Sequence, residues 1–210
     1  MENDSTLSVY VCGKKMKIRN ERRKWIHQFE NVSAVVFVAS LSSFDEPMFD
    51  DETINSLQDS IELFEDICNT HYFVHQHMIL VLNKQDLLQE KINAETKTQQ
   101  MQLTLNVRRF DMTCVNNTGK KLQDYPATSD YAGAEKDLEA SVKFIESKFR
   151  DAFERSIEKL KTSPQQATVT AAQHRLLFVR VTCAYQADNV KTIFSDVQGI
   201  LTGKITKNEN

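Results

Sequence analysis

Two short polar clusters stand directly after apolar runs. Asn83-Lys84-Gln85-Asp86 follows Met78–Leu82 (MILVL), and Thr182-Cys183-Ala184 follows Leu176–Val181 (LLFVRV). A carboxylate beside amides and an ammonium can accept paired hydrogen bonds from a polar ligand. The local alternative is a helix start, with Asn83 or Asp86 as a cap and Lys84 in water. His71, His75 and His77 form an HxxxHxH cluster. Imidazoles bind metals, but nothing in this spacing fixes a third ligand, so ordinary loop histidines are expected. Cys12, Cys68, Cys114 and Cys183 are widely spread with no CxxC pair, which argues against a zinc ribbon or redox motif. They are expected to be reduced thiols in or near the core.

The elements that must carry these residues alternate. Leu7–Val11 is a short apolar stretch, and Arg19–Glu30 is basic, then amphipathic. Ala34–Ala39 (AVVFVA) is a continuous apolar run, expected as a strand buried on both faces of a parallel sheet. Ile54, Leu57, Ile61, Phe64 and Cys68 recur at helical spacing, with Asp50 and Asp51 as the expected start. Met78–Leu82 is a second buried strand. A polar stretch, 93–130, has no clear period and is expected as a long loop excursion. Leu138, Val142, Ile145, Phe149, Phe153, Ile157 and Leu160 predict a long amphipathic helix. Leu176–Val181 is a third buried strand, and Val190, Ile193, Phe194, Val197, Ile200 and Leu201 predict a final helix. Such alternation implies an α/β fold, a parallel sheet covered by helices on both sides. Ligands then bind at the carboxyl ends of the strands, where both clusters lie.

Composition narrows the class. The 210 residues carry 26 basic and 29 acidic side chains, a net charge of −3, and 40% of them are hydrophobic. This excludes low-complexity chains and argues against a nucleic-acid binder. No apolar run reaches the 18 or so residues that span a bilayer, and the N-terminus resembles neither a signal peptide nor a myristoylation site. Asn31 and Asn116 open glycosylation sequons that a cytosolic chain never exposes to that machinery. Seven basic residues crowd positions 14–24. They are expected to be a solvated helix face, in preference to a nuclear-localisation or membrane patch.

The two clusters and their flanks resemble the heterotrimeric G-protein α subunits. The matching segments are RRKWIHQFENV (22–32), SIELFEDICN (60–69), ILVLNKQDLLQEKI (79–92) and TCAYQADNVKTIF (182–194). NKxD and TCA are that family's guanine-reading motifs. The resemblance implies a three-layer Ras-like G domain of P-loop NTPase type, here a single incomplete domain over 1–210. It implies receptor-coupled signal transduction, GTP or GDP with Mg²⁺ as ligands, and a βγ dimer and a G-protein-coupled receptor as partners. The expected place is the cytoplasm, at the inner face of the plasma membrane through those partners. It assigns the guanine base to Asn83, Lys84, Gln85, Asp86, Cys183 and Ala184. Asp86 would accept hydrogen bonds from N1–H and the exocyclic amine, which adenine cannot supply. Lys84 would lay its stem on the base, Asn83 would brace the neighbouring loops, and the Ala184 amide would meet the guanine carbonyl.

The resemblance is incomplete. The 210 residues contain no GxxxxGK[ST] loop: Gly199–Gly203 has too short a spacing, and Thr118-Gly119-Lys120-Lys121 lacks the first glycine. Where the family has DVGGQ, this chain has Lys14-Lys15-Met16-Lys17-Ile18 or, with a gap, Val11-Cys12-Gly13-Lys14-Lys15. Neither holds the Asp or Gln that organises metal and water. The P-loop strand, the switch-one Arg and Thr and the helical domain find no match either. Loss of GTP hydrolysis is therefore the expectation, with the base half of the site retained, nucleotide affinity weak or lost, and no catalytic residue assigned. In the family the P-loop strand separates the strands matching Leu7–Val11 and Ala34–Ala39, so both are expected to show an edge without a ladder partner. The alternatives are a nucleotide-independent pseudo-GTPase that binds βγ, receptor or effector surfaces, and an incomplete gene product. The KITKNEN ending, with Gly199 and Gly203 in the last helix, puts receptor recognition in doubt.

Overall fold

The computed structural model describes residues 32, 34–49, 51–94, 119–162, 175–183 and 187–202. The expected Leu7–Val11 strand and the 14–24 basic run lie outside these residues. Three strands form one parallel sheet: β1 (Ala34–Ser40), β2 (His77–Asn83) and β3 (Leu177–Val181) in the order β1-β2-β3. Val36 pairs with Ile79 and Phe37 with Leu80, while Ile79 pairs with Phe178. The helices are α1 (Ser56–Asn69), α2 (Gln85–Asn93), α3 (Leu138–Lys161) and α4 (Ala187–Leu201).

The sheet divides the core in two. Phe37, Ala39, Met78, Leu80, Leu82 and Val179 face α1, α2 and α3 in the larger cluster. Ile79, Val81 and Phe178 meet Val197 and Ile193 of α4 on the other face. This gives the three-layer α/β arrangement. The aromatic centre of the larger layer is Phe37, Phe64 and Phe149, one each from β1, α1 and α3. Phe64 meets Phe37 at 5.1 Å and Phe149 at 5.5 Å between ring centroids, both edge-on.

The apolar run 34–39 is not buried on both faces. Phe37 and Ala39 are buried, but Val38 is 46% exposed. The side of β1 away from β2 carries no strand among the described residues, and Val38 meets water on the face opposite Phe37 and Ala39. β2, flanked by strands on both sides, buries Met78 to Leu82 without a break.

The expected start of α1 is also corrected. Asp51 binds Thr53 locally, through the Thr53 amide at 3.0 Å and its hydroxyl. The cap is Asn55. Its Oδ1 accepts from the Leu57 and Gln58 amides at 3.0 and 3.1 Å, and its Nδ2 donates to the Phe44 carbonyl at 2.6 Å. The loop 46–55 folds back on itself, with Met48 N–H donating to Ile54 O and Ser56 N–H to Glu46 O. That closure brings Asn55 to the helix end. Asn55→Ala is expected to cost about 1–2 kcal/mol, at the upper end for a cap because it also strands the Phe44 carbonyl. Urea denaturation checks this, with Asp51→Ala expected within about 0.5 kcal/mol of the unmodified chain.

The described end of the 93–130 stretch packs on the core. Short 3-10 turns at Leu122–Asp124 and Pro126–Thr128 bury Leu122, Ala127 and Thr128. At the amino ends of the strands, Arg175 is buried. It donates to Gln76 O at 3.0 Å and to Cys68 O at 2.6 Å, and lies 5.5 Å from the Phe153 ring centre. Burial pushes the Cys68 thiol up to about 12, so it stays protonated and inert.

His77 opens β2. Its Nδ1 accepts from the Leu176 amide at 3.3 Å, which requires the neutral ring at that nitrogen. Burial, then the nearby Arg175 charge, hold its pKa below the ordinary value. The unfolded chain therefore binds this proton more readily. The contribution is full above about pH 6.5 and is lost as pH falls from there through the folded value. Denaturation at pH 7.5 and 5.5 is expected to show a loss at the lower pH that His77→Gln reduces. An equal loss in both proteins would assign the effect to other groups.

Candidate functional site

Parallel pairing aligns the carboxyl ends of the strands. Ser40 lies opposite Asn83, and Thr182 follows the last β3 residue beside Leu82. The Thr182 amide donates to Leu82 O at 2.8 Å, and the Gln85 amide reaches back to Thr182 O at 3.5 Å. These two bonds carry the ladder one step past the strands. They tie the residues after β2 to those after β3, clusters about a hundred residues apart in sequence.

The turn from β2 into α2 is tight. Lys84 takes the left-handed conformation, φ 64° and ψ 41°. Asn83 supports it, its Oδ1 accepting from the Lys84 amide at 2.7 Å. Asparagine and aspartate suit such local closure because their short side chains reach the next backbone amides. Lys84 O then accepts from Leu88 N–H at 3.1 Å, the first helical bond. Asp86 stands in the first turn of α2, at the positive end of the helix dipole. Lys84 is exposed, while Asn83, Gln85, Asp86 and Cys183 are half-buried. The local cap alternative fails in its simplest form, because Lys84 occupies the cap position and no side chain caps α2.

Five of the six base-site residues expected from the sequence, Asn83 to Asp86 and Cys183, therefore gather at one sheet edge. Ala184 lies outside the described residues. Thr182 adds a feature that the site assignment did not include. It is buried, and among the described residues its hydroxyl has no hydrogen-bond partner. A buried hydroxyl left so is costly unless a neighbour or ligand completes it. Its sequence signal was its place as the first residue of the TCA motif, although the base site was assigned to Cys183 and Ala184.

The histidine cluster does not assemble on the described side chains. His75 is exposed and His77 spends Nδ1 on Leu176. Among the described residues no three His, Cys, Asp or Glu side chains come together as metal ligands. No described helix is long and apolar enough to cross a membrane.

In open parallel α/β sheets the carboxyl edge, where these polar loops gather, is the place at which ligands bind. Residues 7–201 match the G-protein alpha subunit family. The chain is 33% identical over 179 residues to the guanine nucleotide-binding protein alpha-3 subunit of Caenorhabditis elegans. It is 34% identical over the same length to the guanine nucleotide-binding protein G(o) subunit alpha of Geodia cydonium. Each match covers 85% of this chain and 38% of the relative. A shorter match, 50% identical over 80 residues, joins 38% of this chain to 23% of a guanine nucleotide-binding protein subunit alpha from Coprinellus congregatus. The chain belongs to the G-protein alpha subunit family, and its fold is the Ras-like α/β fold. It spans about two-fifths of the length of the curated relatives that it matches over 179 residues.

Proposed function

We propose that this chain is an alpha-subunit-type guanine nucleotide-binding protein of receptor-coupled signalling, and that the carboxyl edge of its sheet reads the guanine base. The supporting observation is the joining of Asn83–Asp86 to Thr182–Cys183 by the Gln85 and Thr182 backbone bonds. Asp86 accepts from N1–H and the exocyclic amine of the base. Lys84 covers one face with its aliphatic stem, Asn83 holds the turn, and Ala184 donates its amide to the base carbonyl. The ligands are GDP or GTP, the partners a βγ dimer and a receptor, and the place of action the inner face of the plasma membrane.

The residues described here fit the base and not the metal. Magnesium would have to be held through the nucleotide phosphates, and these 210 residues contain no GxxxxGK[ST] loop. The stretch preceding RNERRKW, where the family has DVGGQ, holds lysines and no Asp or Gln. These residues bind and orient a base and supply no group that positions a hydrolytic water, so they support recognition without GTP hydrolysis. The same absence favours a second reading, a nucleotide-independent pseudo-GTPase that holds βγ or effector surfaces.

Titration with fluorescent GDP and ADP decides between them. Binding of GDP in preference to ADP supports base recognition. Equal or absent binding, with βγ still captured, overturns it in favour of the pseudo-GTPase.

A further inference from the structure

Asp45 lies in the 3-10 turn that ends β1, and its side chain is only 1% exposed. Its Oδ1 accepts from Lys91 Nζ at 2.5 Å, and its Oδ2 from Lys120 Nζ. Lys91 Nζ donates also to the Ser42 carbonyl at 2.6 Å and to Glu46 Oε1 at 3.0 Å. A buried carboxylate persists only when its charge and lone pairs are matched. Here ammonium groups from two other segments match both oxygens. The Asp45 contact in turn favours the charged form of Lys120.

Lys91 stands in the last turn of α2, the helix whose first turn carries Asp86. The backbone reinforces the junction. Lys120 N–H donates to Lys91 O at 3.0 Å. Gly119 approaches so closely that a Cβ there would come within 2.7 Å of the Ala94 carbonyl oxygen. A helix of nine residues is too short to hold itself, so its direction is set by what grips its ends. The strand-end bonds grip the amino end. The Asp45 cluster grips the other. Asp86 and Lys91 are separated by about 7.5 Å along the axis, so a tilt of about 8° displaces the carboxylate by about 1 Å. A shift of that size breaks a bidentate contact.

We propose that Asp45, Lys91 and Lys120 form a clamp that positions Asp86 for base recognition and couples the loop after β1 to the base site. This rests on the guanine reading above. Asp45, Lys91 and Lys120 are positioning residues, since they act through the α2 axis.

The test compares GDP with inosine diphosphate, which lacks the exocyclic amine. The affinity ratio of the two isolates the Asp86 contact, whereas a loss of global stability lowers both affinities alike. The 210-residue chain is expected to prefer GDP. Lys91→Met is expected to shrink that preference about fivefold, and Lys120→Met about twofold, with Lys91→Arg within about twofold of the unmodified chain. Should Lys91→Met fail to fold, Asp45→Asn and Lys120→Met carry the comparison. A preference for GDP that all folded variants keep unchanged overturns the clamp and leaves base recognition standing. No preference in the unmodified chain overturns both.

Discussion

Asp86→Ala is expected to lower guanine-nucleotide affinity about 100-fold while the chain stays folded. Each hydrogen bond from the base to a charged carboxylate contributes about 1.5–3 kcal/mol. Two such bonds at a half-buried site give a combined loss of about 3 kcal/mol, the lower end of that range, since water screens part of the contact. The fold depends little on Asp86. It caps nothing in α2 and contributes only the attraction of an acid for the first helical turn, under about 1 kcal/mol. Binding and stability should therefore separate. Isothermal titration with GDP measures the first, and urea denaturation the second. Equal GDP affinity in both proteins would remove Asp86 from the base site.

The second large effect lies in the aromatic centre. Phe64→Ala is expected to destabilise the chain by about 3–5 kcal/mol. Phe64 is fully buried and meets Phe37 and Phe149, so its removal opens a cavity where β1, α1 and α3 join. The ring edges that pack on it cannot close the gap without moving two helices or the sheet. Against a typical domain stability of about 5–15 kcal/mol, this brings the chain near its unfolding threshold. Phe64→Leu, which keeps most of the volume, is expected to cost less than about 1.5 kcal/mol. Urea midpoints for the two variants check the contrast, and a loss below about 1.5 kcal/mol for Phe64→Ala would contradict a rigid centre.

What the sequence made legible follows from the range of the forces involved. Met78–Leu82 reads as a strand because a strand between others needs apolar residues at every position, whereas β3, last in the described sheet, buries only Phe178 and Val179 and leaves Val181 exposed. The α3 stripe from Leu138 to Leu160 reads as a helix because one face meets a core. The residues proposed to read the base stood out through motif spacing, and the structure brings Asn83–Asp86 and Cys183 to one edge. Val38 misled because AVVFVA carries no mark of which neighbour it lacks. Asp51 misled because its charge suits a helix start, whereas the cap is fixed by a loop closure between Glu46 and Ser56; Asp50 lies outside the described residues. The Asp45 cluster was invisible. Its partners lie 46 and 75 residues away, and lone lysines give no local sign of a buried acid.

The layering of α3 over α1 also sets a schedule for synthesis. β1, α1 and β2 are contiguous, so their parallel pairing can form as soon as Asn83 leaves the ribosome. The apolar face of that unit, with Phe37 and Phe64 at its centre, waits for α3, which ends only at Lys161. At about 5–20 residues per second this leaves the face uncovered for about 4–16 s. Chaperone demand should therefore peak on nascent chains of intermediate length and fall once α3 has emerged.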